Sequence, residues 1–274
     1  MLLDQRFSFK EIIVLDQTSI YETGIEEQLK SWHKQFFIRW IRISQPSITG
    51  AMNKGLIEAR SPIVLFLDDD IIPCKNLAQK HQEAYKNGEV WAVVGKVIQP
   101  WHLLPVNAKN LNIHPQDFCS DEKYFIDDAI GANFSMLRLK AIGLGGFDEN
   151  FIKVAYRFET EFARRLIAQG GKILYVPEAE IHHLKAVEGG TRSFGDFKKT
   201  VLPYHSVGAY YYIFCQKRNF VLNCVERLRQ SIFTRYHLSK PWYIPLTIVS
   251  EIAGFFWAFR LFLKGPKYIS THKN

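Results

Sequence analysis

Ile63-Val64-Leu65-Phe66-Leu67-Asp68-Asp69-Asp70 reads as a short buried strand that ends in three consecutive carboxylates. Carboxylates this close repel one another unless water screens them or a cation neutralises them. Hard cations such as Mg²⁺ or Mn²⁺ take one or two carboxylates together with substrate phosphate oxygens. In open α/β sheets, ligands also gather beyond the carboxyl ends of strands. The triplet therefore reads as a seat for a metal-bound phosphate, against the plainer alternative of a solvated acidic turn.

Outward from this stretch, strand patterns alternate with helical ones, which predicts an α/β fold with a parallel or mostly parallel sheet. Strands are expected at residues 10–15, 37–43, 63–67, 90–97 and 172–176. Helices are expected at 25–32, 52–59 and 75–87, the last closed by Gly88. Residues 99–123, with Pro100, Pro105 and Pro115, read mainly as loop.

The chain has 274 residues and a formal charge of +8. That length can bury the core of one α/β domain with a small appendage. The charge suits an anionic partner: nucleic acid, an anionic membrane or a phosphorylated substrate. No reading helix or aromatic platform supports nucleic acid. Cys74, Cys119, Cys215 and Cys224 lack metal-ligand spacing, and Met1-Leu2-Leu3-Asp4 lacks the features of a signal peptide. A cytoplasmic setting is the expectation.

Two landmarks mark the second half. Gly145-Gly146-Phe147-Asp148-Glu149-Asn150-Phe151 permits a tight backbone turn, and Phe158, Phe162 and Leu166 then share one face of a helix that stops at Gly170-Gly171. Glu159 and Glu161 fall at the amino-terminal end of that helix. The helix dipole alone would favour carboxylates there, so a structural role competes with a chemical one. His182-His183 follows a strand, where such a pair is more often structural than a ligand.

Together these segments resemble the family 2 glycosyltransferases, which have the GT-A fold: a nucleotide-diphospho-sugar-binding α/β domain with a central, mainly parallel sheet. The resemblance runs from about Lys10 to Arg229. It rests on Glu11-Ile12-Ile13-Val14-Leu15-Asp16, Asn53-Lys54-Gly55, Leu67-Asp68-Asp69-Asp70, Gly131-Ala132-Asn133, the glycine turn and Glu159-x-Glu161-Phe162-x-x-Arg165, in family order. It implies an inverting, metal-assisted transferase that moves a sugar from a nucleotide-diphospho-sugar to a glycan or lipid-linked acceptor.

Carried over residue by residue, the resemblance implies that Asp16 accepts hydrogen bonds from the nucleotide base and that Asn53 and Asp69 lie in the donor site. Asp68 would face the ribose or assist the metal, and Asp70 would hold Mg²⁺ or Mn²⁺, with His183 completing the shell. Arg192 would pair with the diphosphate. Glu159 would be the general base. Three departures stand out. Met1 falls near the end of the family's first helix, so the first strand and most of that helix are expected to be missing. Phe158-Glu159 replaces Glu-Asp, and Met52 replaces a common arginine.

From Pro241 onward the composition turns aromatic and aliphatic, flanked by Lys240, Lys264 and Lys267. Glu251, Arg260 and Pro245 interrupt the apolar run, which favours an interfacial helix over a bilayer span. Residues 1–230 are expected to form the transferase domain and 231–274 a basic, aromatic, membrane-associating tail. Two other functions are compatible with the residues: a catalytically inactive donor-binding or assembly subunit, and a haloacid-dehalogenase-type phosphohydrolase with Asp68 as nucleophile.

Overall fold

The computed structural model describes residues 2–86, 88–103, 118–186, 190–216 and 219–270. In chain order its regular elements are β1 (Ile13–Asp16), α1 (Ile25–Lys34), β2 (Arg39–Arg42), α2 (Ile48–Glu58), β3 (Ile63–Leu67), β4 (Ile71–Pro73), α3 (Leu77–Glu83), β5 (Val90–Ile98), β6 (Tyr124–Ile126) and β7 (Asn133–Leu137). Then follow α4 (Arg138–Gly143), α5 (Phe158–Ala168), β8 (Lys172–His183), α6 (Ser206–Gln216), α7 (Phe220–Ile232), α8 (Arg235–Ser239) and α9 (Ile244–Leu263).

β1 and β2 pair in parallel as a small sheet of their own. The main sheet has the order β3-β7-β5-β8-β4, with β6 also paired to β8. β5 and β8 are parallel neighbours, while β7 is antiparallel to both β3 and β5. Consequently β3, β5 and β8 share one direction, and the short β4 and β6 run against β8. This is the GT-A arrangement expected from the sequence.

The two faces of the sheet carry separate cores. One gathers Leu56, Phe134, Met136, Phe147, Phe162 and Leu166 with the aromatic helix α6. The other packs Leu77 of α3 over Val93, Val97 and Ile181. A buried polar chain links α3 to β7: His81 bonds Ser135 through Nδ1 and Asn133 through Nε2, and Tyr85 bonds Ser135. Burial pushes the His81 pKa down to about 4, so the ring works as a neutral bridge.

Some boundaries differ from expectation. The third helix is confined to Leu77–Glu83 and ends before Gly88, in a turn rather than a glycine cap. β8 does not stop at Val176 but continues through Pro177 to His183. Proline cannot donate to a ladder, and the β5–β8 register shifts between Gly95 and Val97, opposite that proline.

The 230/231 boundary falls inside α7, and the tail is continuous with the body of the molecule. α9 crosses α6 where Gly254 meets Ser206, so closely that a Cβ on Gly254 would collide with the Ser206 hydroxyl. Ala258 joins the main core, and the following strap returns along the glycine turn through Ile269 N–H to Gly145 O and Glu149 N–H to Lys267 O.

Candidate active site

Strand register assembles the acidic cluster. β3 delivers Asp68 at its end, a tight turn carries Asp69 into solvent, and β4 starts directly after Asp70. In the β4–β8 ladder Ile71 lies opposite His183, which places the imidazole beside Asp70. His183 Nε2 stands 3.0 Å from Asp70 Oδ1 and 3.5 Å from Asp68 Oδ2. Its Nδ1 faces Gln99 Oε1 at 3.0 Å.

That bond orients the ring: with Nδ1–H donated to Gln99 Oε1, Nε2 is the nitrogen that could ligate a cation held between it and the carboxylates. Asp70 is fixed in turn, since Oδ2 accepts from Ala186 N–H at 2.8 Å. One ligand atom from each of Asp68, Asp70 and His183 falls within 4.8 Å of the other two. Two carboxylate oxygens and one oriented imidazole nitrogen make a donor set that fits Mn²⁺ or Mg²⁺. Gln99 belongs to the expected loop region, and no local signal in the sequence marks it.

Glu159 approaches the same end of the sheet from α5. β7 begins at Asn133, opposite Leu67, so the preceding Gly131-Ala132 lies beside the end of β3. Gly131 N–H donates to Glu159 Oε1 at 3.3 Å. A side chain on Gly131 would crowd that oxygen, its Cβ lying 3.3 Å away. Phe158 and Phe162 pack on Phe147 behind the carboxylate, as apolar walls.

Burial raises the Glu159 pKa to about 8, with the charges of Asp128 and Asp68 pushing the same way. Hydrogen bonds from its own backbone N–H and from Gly131 oppose the rise without cancelling it. Asp68 is thus near enough for its field to reach Glu159. Glu159 is thus a carboxylate with a raised pKa at the same end of the sheet as the metal-fitting cluster.

Glu161 has a different task. Its two oxygens take both ends of the Arg165 guanidinium at 2.6 and 2.9 Å, and Arg165 also donates to Leu144 O and Gly146 O. The pair clamps the glycine turn onto α5. Burial raises the Glu161 pKa, and Arg165 holds it down.

Asn53 differs from the expected donor contact. It is buried, its Oδ1 accepts from Phe147 N–H at 2.8 Å, and its Nδ2 donates to Phe147 O and Glu149 Oε1. The amide is fully used in pinning the glycine turn to α2, and Gly146 must be glycine because a Cβ there would strike Asn53 Oδ1. Asn133 is likewise occupied, bracing β7 against Ala179 O and Lys96 O.

Asp16 holds its place at the end of β1 but is already engaged. Thr18 N–H, Tyr21 O–H and Trp40 Nε1–H all donate to it. Burial works to raise its pKa, and hydrogen bonds from Tyr21, from the backbone and side chain of Thr18 and from Trp40 together hold it below the usual carboxylate range. A carboxylate has about four lone-pair sites, so these donors engage most of its capacity. Arg192 lies in a short 3₁₀ turn, Gly190–Phe194, and its side chain lies outside the described residues.

Comparison with known proteins gives the family and the fold. Residues 1–139 match the family model described as Glycosyl transferase family 2. An uncharacterized glycosyltransferase, YfnE of Bacillus subtilis strain 168, is 35% identical over 86 residues, 31% of this chain and 21% of that protein. Among solved structures, GalNAc-T7 with UDP, GalNAc and Mn²⁺ superposes with a TM-score of 0.52 at 16% identity, over 77% of this chain and 45% of that one. TarS 1-349 of S. aureus, in complex with UDP-GlcNAc, also gives 0.52, at 14% identity over 90% of this chain and 65% of that one. The chain thus spans well under the full length of these relatives, and the structural likeness fixes the fold. A family match over residues 1–139 of 274, joined to a GT-A fold, means that this chain belongs to glycosyl transferase family 2.

Proposed function

We propose that this chain is an inverting, cation-assisted glycosyltransferase that moves a sugar from a nucleotide-diphospho-sugar to a hydroxyl of a glycan or lipid-linked acceptor. The observation that carries it is the placement of Glu159: its Oε1 accepts from Gly131 N–H beside the end of β3, the strand that leads into the metal-fitting trio Asp68, Asp70 and His183. The family assignment removes the phosphohydrolase alternative.

Glu159 takes the proton of the acceptor hydroxyl as its oxygen bonds to the anomeric carbon. The bond to the diphosphate oxygen breaks on the opposite face, so the configuration inverts. Gly131 N–H orients the base, and the Phe147–Phe158–Phe162 wall keeps water from its back. Asp68, Asp70 and His183 would hold the divalent ion, and Gln99 and Ala186 N–H keep two of those ligands aimed. When bound, that ion supplies Lewis-acid neutralisation of charge on the departing nucleoside diphosphate. UDP in both structural relatives, with Mn²⁺ in one, supports this choice of donor and ion. Asp16, Asp69 and Arg192 remain on the donor side of this reading.

The reading also places the chain at the cytoplasmic surface of a membrane. α9 is long and apolar enough to cross a bilayer, yet it is patterned for lying on one. Its protein-facing positions are Thr247, Ser250, Glu251, Gly254 and Ala258, while Val249, Ile252, Phe256, Phe259 and Leu263 face outward. Large apolar residues thus face outward as well as inward, where Phe255 and Phe262 pack on the core, unlike the polar outer face of a soluble helix. Glu251 is neutralised by a two-pronged pair with Arg227, and Lys240 and Lys264 flank the helix toward anionic lipid.

The deciding experiment is a screen of nucleotide sugars by thermal shift with and without Mn²⁺, followed by transfer assays with any stabilising donor. Mn²⁺-dependent stabilisation by one nucleotide sugar, and transfer that Glu159→Gln abolishes, are expected. Donor binding with no transfer to any acceptor would instead favour the inactive assembly subunit.

A further inference from the structure

A second cavity, of about 310 Å³, opens next to the catalytic helix, between the Asp127-Asp128 loop, the start of α5 and the helices α6 and α7. Arg157 and Thr160, which flank Glu159 in sequence, both line it, and so does Asp128, whose charge reaches Glu159. The cavity thus lies beside the start of the helix that carries Glu159.

Its lining holds donors that lack acceptors. Tyr212 is only 8% exposed, yet its hydroxyl has no hydrogen-bond partner among the described residues. Gln216 lies close by without hydrogen-bond geometry. Arg164 lies over the Tyr212 ring, 5.1 Å from its centroid, and no carboxylate among the described residues pairs with it. Arg157 has only a loose 3.7 Å pair with Asp128. Arg227, by contrast, is committed to Glu251, and Glu226 to Arg229. Burial pushes the Tyr212 pKa up to about 12, so the hydroxyl keeps its proton and remains a donor.

Two guanidinium groups and a buried phenol O–H line this cavity, and the one carboxylate paired with either guanidinium among the described residues is Asp128, 3.7 Å from Arg157. A buried donor left unmet is costly, and forked guanidinium donors match the oxygens of a phosphate. The helix that closes the cavity adds a second clue. α7 turns Asn223, Glu226, Arg227 and Gln230 to the cavity, while Val221, Leu222, Val225 and Leu228 on its other side are exposed. α7 packs beside α9 through Arg227 and Glu251, and both helices expose large apolar side chains suited to lipid.

We infer that this cavity binds a phosphate group of the sugar acceptor through Arg164, Arg157 and Tyr212, holding the sugar it carries so that a hydroxyl meets Glu159. Asp127 and Asp128 complete the rim as acceptors for sugar hydroxyls. The inference rests on the transferase reading for its purpose, but the binding event is independent of it.

The test is titration of the full chain with octyl phosphate, glucose 1-phosphate and octyl glucoside, alongside a separate titration with UDP and Mn²⁺. At least one phosphate probe is expected to bind about tenfold or more tighter than octyl glucoside, which has the tail and sugar without the phosphate. Preference for octyl phosphate would identify a lipid-borne phosphate, and equal binding of glucose 1-phosphate a soluble one; either supports the site. Arg164→Ala and Tyr212→Phe should each weaken the preferred phosphate probe by about tenfold, with UDP–Mn²⁺ binding unchanged. Arg164 is exposed and Tyr212→Phe removes one oxygen, so both variants should fold, which a thermal melt checks. Equal affinity for octyl glucoside, or phosphate binding indifferent to both variants, would overturn the inference. Loss of UDP–Mn²⁺ binding in the parent chain would count against the transferase reading and leave the phosphate site standing.

Discussion

Glu159 Oε1 and the Gly131 backbone nitrogen lie 3.3 Å apart, and this contact ties the catalytic helix to the segment beside the acidic strand end. It sets the position of the proposed base relative to the end of β3 while leaving the carboxylate free to accept a proton. Because a Cβ on Gly131 would sit 3.3 Å from Oε1, Gly131→Ala should displace the base. The expected result is a fall in kcat of tenfold or more with the donor Kd unchanged, read by transfer kinetics and donor titration.

The pH dependence follows from the raised Glu159 pKa. The base must be ionised to act, so kcat/KM should fall as pH drops through its pKa, which is about 8 without a cation and lower with one. Stability runs the other way. The folded pKa of about 8 exceeds the ordinary 4.5, so the proton on Glu159 contributes stability that is complete below pH 4.5 and lost as pH rises through 8. In the protein without donor or cation, Glu159→Gln should melt at a higher temperature than the parent at pH 9 and close to it at pH 4.5. A parent and variant that differ equally at both pH values would contradict the shift.

Removing the cluster's anchors should separate ion binding from the fold. Asp70→Asn and His183→Ala are each expected to abolish Mn²⁺-dependent UDP binding. Gln99→Ala, which only releases the imidazole, should weaken it about tenfold. Calorimetric titration with and without Mn²⁺ distinguishes the three.

The Glu161–Arg165 clamp predicts a stability effect without a direct chemical one. Arg165→Met leaves a buried carboxylate unpaired and frees Leu144 O and Gly146 O, which should cost about 3 kcal/mol in urea unfolding. Arg165→Lys should recover only part of it, because a single ammonium cannot reproduce the fork.

On the outer face of α9, Ile252→Asp with Phe256→Asp should abolish binding to phosphatidylglycerol vesicles and leave the melting temperature nearly unchanged, since both side chains are exposed. Gly254→Leu should instead destabilise the fold, because it wedges α9 from Ser206. Vesicle sedimentation and thermal melts read the two effects.

Much of the fold is legible locally. The apolar run 63–67 has the period of a strand, and Phe158, Phe162 and Leu166 recur at helical spacing, so β3 and α5 lie where the sequence puts them. The short α4 and β4, and the strand β7 inserted against its neighbours, leave weaker traces because each is only three to six residues long. Their pairing partners, not their own periodicity, make them regular. Past Pro177, β8 persists for the same reason: its ladder with β5 resumes after the register shift.

The family, the acidic strand end and the helix that carries Glu159 are legible in the amino-acid order alone, since each is written in contiguous residues whose spacing fixes the element. Tertiary packing alone sets which partner each of those residues meets. The β4–β8 register put His183 against Asp70, and Gln99 from a distant loop aimed it. Packing turned Asn53 and Glu161 toward the glycine turn and left Glu159 facing the site. A side chain's role depends on which hydrogen-bond partners reach it, and those partners come from segments remote in sequence, joined by sheet register and helix packing.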